Sequence, residues 1–478
     1  MSSLSSLNRI LAGIRAKKKS KTRPCLVQSV LALSSQKKLK QAVESLGLLS
    51  RQGLRLQSRT LAFLLKQCAT SKSLREGKWL HLYLKLTGRK RPTTYLSNHL
   101  INMYSNCGRD VEARQLFDRM PAKNVFSWNN MLAGYVKVGM LKRAQRLFDE
   151  MPERDVVSWN TMVVAFARNG CFDEALSLYA QLRGSSIGFN QFSFAGVLIV
   201  CVKLKDLGLT LQVHAQVLVA GFMPNVVLSS SIVDAYARCS VLCDARKLFD
   251  EMPVRDVLAW TVLVSGYAKG GDMVSARRLF SEMPEPNPVS WTALIAGYAR
   301  NGLEGEALVL FREMITNGIE PNQFTFSSSL CACAGIDSLL HGKQIHARLI
   351  RTCFNPNTIV VSSLIDVYSK CGRLDIGRQV FDLLGRKKQD VMVWNTMISA
   401  LAQHGLGEEA LQFLGNMVRE GVKPDRITLG VILHVCHHSG LVEAGINIFK
   451  SMIRDHRVVA NQEHYACLVD LFGRYGQF

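Results

Sequence analysis

The sequence predicts an all-α fold, an α-solenoid of about twelve to thirteen helix-turn-helix repeats. Short phrases recur along the chain at steps of 31 to 36 residues, and the apolar residues within a step follow helical spacing. Self-similarity with such a period is typical of solenoids, in which each repeat buries its apolar faces only against its neighbours. The mean hydropathy is +0.08 and no apolar run is long enough to span a membrane, which fits helices buried on two sides.

Three phrases mark the repeats. The phrase L-F-x-x-M-P ends at four prolines, Pro121, Pro152, Pro253 and Pro284, and within each pair the step is 31 residues. A tryptophan phrase such as VVSWNTMV, which begins at Val156, opens the repeat that follows. The third phrase ends at three histidines, His81, His214 and His346. Because the phrases keep their spacing, they fix the register of the whole array.

Alignment of the phrases divides residues 58–461 into twelve complete repeats, numbered 1 to 12 below. They start at residues 58, 94, 125, 156, 191, 226, 257, 288, 323, 358, 391 and 426. A partial leading repeat is predicted over residues 42–57 and a truncated thirteenth repeat over 462–478. Repeat 4 illustrates the pattern: residues 156–168 form a first helix, Asn169 and Gly170 mark a turn, and a second helix carries an apolar face. That face consists of Phe172, Ala175, Leu176, Tyr179 and Leu182.

The charge is concentrated near the N-terminus. Lys and Arg outnumber Asp and Glu by 22, and residues 1–57, with 12 basic residues against the single acid Glu44, carry half of this excess. A basic surface attracts polyanions, above all nucleic acid. Residues 1–41 are rich in Ser, Leu, Arg and Lys, which predicts a disordered organelle transit peptide or tail. The expected destination is the mitochondrion, with the chloroplast as the alternative and the nucleus, from the run Lys17–Lys21, ranked third.

The repeat length, the W-N/T-x-L/M-I phrase and the L-F-x-x-M phrase resemble those of the pentatricopeptide repeat family. The rotation of 35, 35 and 31-residue repeats resembles its plant subclass of mixed P, L and S units, and repeats 1, 5, 9 and 12 match the long type. The resemblance covers residues 58–478. It implies a right-handed superhelix whose first helices line a concave surface, with each repeat addressing one base of single-stranded RNA.

In this family the fifth residue of a repeat and its last residue select the base, and the second residue packs against it. We name these the reader, the cap and the packing residue. The resemblance assigns as readers Asn98, Asn129, Asn160, Ser230, Thr261, Thr292, Ser327, Ser362 and Asn395. It assigns as their caps Asn124, Asp155, Asn190, Asp256, Asn287, Asn322, Asn357, Asp390 and Asp425. It assigns as packing residues Tyr95, Phe126, Val157, Val227, Leu258, Val289, Ile359 and Met392.

The residue types support this assignment in part. Outside the long-type repeats every reader is Asn, Ser or Thr, which are poor helix formers within an otherwise apolar helix. Recurrence at one register favours outward polar readers, but such a side chain could instead bond its own helix backbone. Asp or Asn before a helix is also what N-capping requires, so the caps could serve structure alone or both purposes.

The family's pairing rule then predicts a target. Thr or Ser with Asn indicates adenosine, Ser or Thr with Asp guanosine, Asn with Asp uridine, and Asn with Asn a pyrimidine, with cytidine favoured. Repeats 2 to 11 therefore spell 5′-C-U-C-N-G-A-A-N-G-U-3′, in which N stands at the long-type repeats 5 and 9. The expected function is sequence-specific RNA binding that directs organelle RNA processing, with C-to-U editing favoured over splicing or end protection.

No residue pattern indicates catalysis or a cofactor. The H-x-E and C-x-x-C signature of zinc deaminases is absent, and the chain stops before the C-terminal extension and deaminase-like domain that plant relatives often carry. An editing role would thus need a deaminase or accessory protein acting in trans. The tryptophans in fourth place are expected in the core: Trp128, Trp159, Trp260, Trp291 and Trp394. The cluster of His434, Cys436, His437 and His438 is the only metal-like grouping in the sequence, and no metal site is predicted from it.

Two other interpretations stay open. A helical scaffold that binds proteins would need no polar readers, and its affinity would depend less on salt than phosphate-dominated binding. A truncated, non-functional gene product would explain an end at Phe478, midway through a hairpin. Neither a membrane nor a small-molecule substrate is expected as a partner.

Overall fold

A computed structural model of the chain describes residues 40, 41, 43, 56–87, 92–384, 390–455 and 457–474. Across these residues the backbone forms 25 α-helices and no β-strand. The predicted transit segment apart from residues 40 and 41, most of the predicted leading repeat and residues 475–478 lie outside the described residues. The chain divides into two compact parts, an N-terminal part, Met1–Leu228, and a C-terminal part, Ser229–Phe478.

Each complete repeat contributes two helices. Repeats 1 to 5 hold α1 (Ser58–Thr70), α2 (Leu74–Leu86), α3 (Thr94–Asn106), α4 (Asp110–Asp118), α5 (Val125–Lys137), α6 (Leu141–Asp149), α7 (Val156–Arg168), α8 (Phe172–Gly184), α9 (Gln191–Leu204) and α10 (Leu207–Val219). Repeats 6 to 9 hold α11 (Val226–Arg238), α12 (Leu242–Glu251), α13 (Val257–Gly270), α14 (Met273–Glu282), α15 (Pro288–Arg300), α16 (Glu304–Thr316), α17 (Gln323–Gly335) and α18 (Leu339–Arg351). The remaining helices are α19 (Thr358–Lys370), α20 (Leu374–Asp382), α21 (Val391–Gln403), α22 (Gly407–Arg419), α23 (Arg426–Ser439), α24 (Val442–Arg454) and α25 (Gln462–Arg474).

The odd-numbered helices are the first helices of the repeats. Within each compact part a first helix packs against its own second helix and against the first helix of the next repeat. This arrangement is an all-α helical repeat solenoid, and it confirms the predicted fold class. In the part of the chain that the structure describes, no helix is long and apolar enough to cross a membrane.

The turn between the two helices has the same backbone conformation in every complete repeat. The fifteenth residue of each repeat has a positive φ, which places it in the left-handed region that favours glycine. Gly occupies this place in eight repeats, for example Gly170 at φ +81° and Gly302 at φ +72°. Lys72, Lys205, Ser240 and Asp337 occupy it in the other four. A single conformational requirement therefore ends all twelve first helices.

Aromatic contacts join successive repeats. In five places the Phe of the L-F-x-x-M-P phrase, or its equivalent Phe381, meets the next tryptophan edge to face, as Phe249 meets Trp260 with ring centroids 4.7 Å apart. Trp159, Trp260, Trp291 and Trp394 are buried and Trp128 is half-buried. The tryptophans therefore contribute to the core, as their helical spacing predicts.

Histidines take the place of that Phe in the long-type repeats 1, 5 and 9, whereas repeat 12 keeps Phe449 there. His81 Nδ1 lies 2.9 Å from the Tyr104 hydroxyl, and His346 Nδ1 lies 2.8 Å from that of Tyr368. Burial, and to a lesser degree the charge of Lys85, lower the pKa of His81 to about 4. Burial also lowers the pKa of His346. These histidines are therefore neutral structural groups at physiological pH.

Candidate nucleic-acid interface

The reader lies in the second turn of a first helix, and its cap immediately precedes the first helix of the next repeat. Stacking of the two first helices brings the side chains together although 26 to 30 residues separate them in sequence. The Asn129 amide donates to both carboxylate oxygens of Asp155, at 3.0 and 3.1 Å. The same direct contact joins Asn98 to Asn124 at 3.3 Å, Asn160 to Asn190 at 3.0 Å, Ser230 to Asp256 at 2.7 Å and Asn395 to Asp425 at 3.1 Å.

Every cap also holds the helix that follows it. The Asp155 carboxylate accepts a hydrogen bond from the backbone N–H of Ser158 at 2.9 Å, and Asn322 accepts one from Thr325 at 3.0 Å. Such N-caps satisfy backbone donors that would otherwise be unpaired. The side chains of all nine predicted caps make this bond. Each cap side chain therefore caps a helix and, in five repeats, also contacts the reader, whereas base selection by the caps stays a prediction.

The cap fixes how an asparagine reader is oriented. A carboxylate only accepts hydrogen bonds, so the reader must turn its amide N–H toward Asp155 and its carbonyl oxygen away. Asn124 and Asn190 impose the same orientation because their Oδ1 atoms already accept from backbone N–H groups. The Oδ1 atoms of Asn98, Asn129 and Asn160 are buried and have no hydrogen-bond partner. An unpaired buried acceptor is costly and needs an external donor.

Threonine readers behave differently from asparagine readers. The Thr261 hydroxyl donates to the backbone carbonyl of Val257 at 2.6 Å, and the Thr292 hydroxyl donates to that of Pro288 at 2.7 Å. Both therefore bond their own helix, the alternative that the sequence left open, and neither shows a direct contact with its cap. Ser327 bonds Ser363 at 3.0 Å instead, and the Ser362 hydroxyl is buried without a partner.

The readers are less exposed than outward-pointing polar side chains would be. Five of them are buried: Asn160, Ser230, Thr261, Ser362 and Asn395. Asn98, Asn129, Thr292 and Ser327 are half-buried. The expectation of outward readers was therefore wrong in this respect. The readers are shielded from solvent because the neighbouring first helix and the cap cover their side chains.

The packing residues are the exposed part of the same face. All eight predicted packing residues are exposed apolar side chains, and Phe126 is 74% exposed. In the long-type repeats Phe192, Phe324 and Ile427 occupy the same place and are exposed too. Scattered exposed apolar residues are normal, but a repeated one at a fixed register marks a contact surface.

Sequence reasoning missed a basic residue in the thirteenth place. Seven repeats carry Lys or Arg there, and all seven side chains are exposed: Lys137, Arg168, Lys203, Arg238, Lys269, Arg300 and Lys370. Places two and thirteen are eleven residues apart, which is three helical turns, so both lie on one face of the first helix. The alignment of the repeats already contained this signal.

The long-type repeat 12 departs from the pattern. Its reader place holds Gly430, and a cavity of about 1120 Å³ beside it is lined by His434, His438 and Glu463 among others. Asp425, the cap that precedes this repeat, has a pKa below its usual range. Burial raises that pKa, but hydrogen bonds from the Thr428 backbone and hydroxyl and from the Asn395 amide outweigh it. Among the described residues no group of three or more His, Cys, Asp or Glu side chains could hold a metal ion.

Comparison with known sequences identifies the family of these repeats. The model of the PPR repeat family matches residues 123–156, 286–335 and 389–438, and that of the PPR repeat matches 95–125, 157–187, 258–286 and 359–388. A pentatricopeptide repeat-containing protein of Arabidopsis thaliana, At2g21090, is 61% identical over 455 residues, which cover 95% of this chain and 76% of the relative. The chain belongs to the PPR repeat family.

Other PPR relatives are longer than this chain. A putative mitochondrial pentatricopeptide repeat-containing protein of Arabidopsis thaliana, At3g13770, is 31% identical over 87% of this chain and 56% of the relative. The chloroplastic protein At3g57430 of the same plant is 30% identical over 93% of this chain and 44% of the relative. The chain therefore spans about half the length of these two relatives.

Solved structures show the same fold. The crystal structure of the pentatricopeptide repeat protein PPR10 from maize matches with a TM-score of 0.70 at 20% identity, over 99% of this chain and 74% of that one. PPR10 in complex with an 18-nt psaJ RNA element matches with a TM-score of 0.50 at 19% identity, over 95% and 82% of the two chains.

Proposed function

We propose that this PPR chain binds single-stranded RNA by sequence, with one base addressed by each repeat. The observation that carries the proposal is the set of asparagine readers whose carbonyl oxygens are buried without a partner. Each of these readers follows an exposed packing residue by three places on the same helix face, so a base that rests on that residue brings a polar edge to the acceptor. Because only a donor on the base completes the hydrogen bonding, the site discriminates among bases.

Charge supports a nucleic-acid ligand over a protein ligand. The exposed Lys or Arg in the thirteenth place lies on the same helix face as the packing residue, so it can meet a phosphate while the base meets the reader. Phosphate neutralisation supplies sequence-independent affinity and makes it depend on salt. PPR10 has been crystallised with an RNA element, which also favours RNA. A protein-binding scaffold would not explain buried acceptors at the reader place.

The biological role proposed with this binding is processing of an organelle transcript. Relatives carry names that place them in the mitochondrion or the chloroplast. The alternation of 31 and 35-residue repeats, which resembles the plant subclass of mixed units, favours C-to-U editing with a deaminase supplied by another protein. Binding alone positions such an enzyme on a chosen nucleotide, so no catalytic group is required of this chain.

Reciprocal exchange of two readers tests the proposal. Asn129 and Ser230 both contact an aspartate cap, so Asn129→Ser and Ser230→Asn exchange the readers without changing the caps. The probe is 5′-CUCUGAAUGU-3′ RNA, in which repeats 2 to 11 face nucleotides 1 to 10. We expect Asn129→Ser to move the preference at nucleotide 2 from U toward G, and Ser230→Asn to move the preference at nucleotide 5 from G toward U. Each change should alter relative affinity about tenfold.

The controls separate RNA readout from general affinity. Binding is measured for all four bases at nucleotides 2 and 5, with a scrambled decamer in parallel. Equal binding of the designed and scrambled decamers by the wild-type chain would refute sequence-specific recognition. Loss of affinity for every oligonucleotide, without a change of preference, would refute the assignment of Asn129 and Ser230 as readers.

A further inference from the structure

A third residue lies beneath the reader and the cap, and the pairing rule ignores it. It is the third residue of the following repeat, which we name the support residue. Six support residues carry a hydroxyl group: Ser127, Ser158, Ser193, Ser290, Thr325 and Thr428. All six are at most 1% exposed, so their hydroxyl groups must find partners within the protein.

Serine support residues bond the cap. The Ser158 hydroxyl donates to the backbone carbonyl of Asp155 at 2.8 Å, and the Ser290 hydroxyl donates to that of Asn287 at 2.9 Å. Ser127 and Ser193 donate to the side-chain oxygens of their caps at 2.9 and 3.3 Å. In none of these four repeats does the structure give the support hydroxyl a bond to the reader.

Threonine support residues reach the reader. The Thr428 hydroxyl lies 2.7 Å from Asn395 Oδ1 and 2.9 Å from Asp425 Oδ1, so its proton is shared between the reader and the cap. The Thr325 hydroxyl lies 2.7 Å from that of Thr292 and 3.1 Å from Asn322 Oδ1, so it contacts both the reader and the cap. Threonine carries a second substituent on Cβ that restricts its rotamers, and in both repeats its hydroxyl lies between the reader and the cap, whereas each serine hydroxyl bonds the cap alone.

The two arrangements leave asparagine readers in different states. In repeats 3 and 11 the reader is Asn and the cap is Asp, so the pairing rule treats them alike. Asn129 Oδ1 has no partner, whereas Asn395 Oδ1 already accepts from Thr428. A carbonyl oxygen has two lone pairs, and one of those on Asn395 is already occupied. A donor on the base therefore gains less at repeat 11, because it no longer relieves an unsatisfied group.

We propose that the support residue is a further specificity-determining residue, and that a threonine in this place weakens the preference of the reader for a base that donates a hydrogen bond. The inference rests on the proposed RNA binding and deepens it. The bases U and C are well suited to test this proposal, because the pyrimidines have the same size and uracil offers an N3–H donor where cytosine offers an N3 acceptor. Repeats with identical reader and cap thus discriminate to different degrees.

Matched substitutions in the full chain test this proposal. The change Thr428→Val removes the hydroxyl that contacts Asn395, and valine already occupies the support place at Val360 and Val393. The change Ser158→Val removes a hydroxyl that does not contact its reader. The ratio of Kd for C against U is measured at nucleotides 2 and 10 of 5′-CUCUGAAUGU-3′. We expect Thr428→Val to raise the ratio at nucleotide 10 about three- to tenfold, and Ser158→Val to leave the ratio at nucleotide 2 unchanged.

The reverse substitution keeps the test decisive if Thr428→Val does not fold. The change Ser158→Thr should lower the C-to-U ratio at nucleotide 2 by a similar factor. The alanine variants Asn395→Ala and Asn129→Ala show whether the readers discriminate between C and U at nucleotides 10 and 2. The inference is overturned if both abolish this discrimination while Thr428→Val and Ser158→Thr leave the C-to-U ratios at nucleotides 10 and 2 unchanged. In that outcome RNA recognition by the readers still stands. If the wild-type chain binds the scrambled decamer as tightly as the designed one, the proposed function itself fails, and the inference fails with it.

Discussion

Repeats 7 and 8 are adjacent, and both pair a threonine reader with an asparagine cap. They differ in the support residue: Ser290 donates to the backbone of its cap, whereas Thr325 contacts the reader Thr292 and the Oδ1 atom of its cap, Asn322. The pairing rule assigns adenosine to both repeats. The comparison shows that two repeats with the same reader and cap need not present the same hydrogen-bonding groups.

Removal of the cap should have the largest effect and should separate the two repeats. Loss of an N-cap costs about 1 kcal/mol of unfolding free energy, with a range of about 0.5–2. The loss of unfolding free energy caused by Asn287→Ala should lie near the middle of this range. Asn322→Ala should lie at its upper end, because the buried hydroxyl of Thr325 also loses an acceptor.

Urea unfolding of both variants checks this expectation through the midpoints of their transitions. The control is a cap-to-Asp change in each repeat, Asn287→Asp and Asn322→Asp, which keeps an acceptor for the backbone. Equal destabilisation by the two alanine variants would mean that the contact between Thr325 and the cap adds nothing to stability.

A change of reader should have the next largest effect. Thr261→Asn and Thr292→Asn both convert the adenosine pair into the pyrimidine pair. We expect about a tenfold shift toward pyrimidine at nucleotide 6 for Thr261→Asn. The shift at nucleotide 7 for Thr292→Asn should be smaller, because the Thr325 hydroxyl is placed to donate to the new amide oxygen.

Competition binding with the four bases at nucleotides 6 and 7 measures both shifts. The double variant Thr292→Asn with Thr325→Ser should recover the larger shift. Identical shifts in the two single variants would show that Thr325 has no influence on readout.

The basic residues should not distinguish the two repeats. Lys269 and Arg300 both occupy the thirteenth place, so alanine at either should weaken binding to every sequence by a similar factor. Each change should make the negative slope of log affinity against log salt shallower by about 0.7, the value for one phosphate of a single strand. The exposed Arg278 on the second helix α14 provides the control, because Arg278→Ala should leave the slope unchanged. A change in base preference, rather than in slope, would contradict a phosphate contact.

The repeat pattern predicts the fold more fully than it predicts the site. The spacing of the tryptophan and L-F-x-x-M-P phrases gives the register of the hairpins, and the first helices begin at the predicted starting residues, from Ser58 to Gln462. Asn169-Gly170 indicates one turn correctly, but nothing in the types of Lys72 or Lys205 indicates that they adopt the same left-handed conformation.

The hydrogen bonding of the readers could not be predicted from the sequence. The family resemblance pairs Asn129 with Asp155, and the structure brings them into contact. Whether a hydroxyl such as that of Ser158 or Thr428 bonds the cap or the reader depends on a rotamer and on the distance between stacked helices. Sequence spacing does not contain either quantity. The exposed basic residues, in contrast, could have been predicted, because they recur in the thirteenth place of the aligned repeats.

The smallest expected effect is a pH dependence that separates repeat 11 from repeats 7 and 8. The asparagine caps of repeats 7 and 8 do not titrate, whereas Asp425 caps repeat 12 with a pKa below its usual range. Burial opposes this shift, and the hydrogen bonds from Thr428 and Asn395 outweigh it. A carboxylate with a depressed pKa stabilises the fold above its ordinary pKa, about 3.9, and loses that contribution as the pH falls through its folded-state value.

We therefore expect the stability difference between the wild type and Asp425→Asn to stay constant from pH 7 to about 5 and to narrow below about pH 4. The narrowing should be at most about 1 kcal/mol, because solvent screens this partly exposed group. Parallel urea titrations of the two proteins measure it, with Asn322→Asp as a further control that introduces a titrating cap into repeat 8. A difference that does not change between pH 7 and 3 would show that the hydrogen bonds to Asp425 do not favour its charged form.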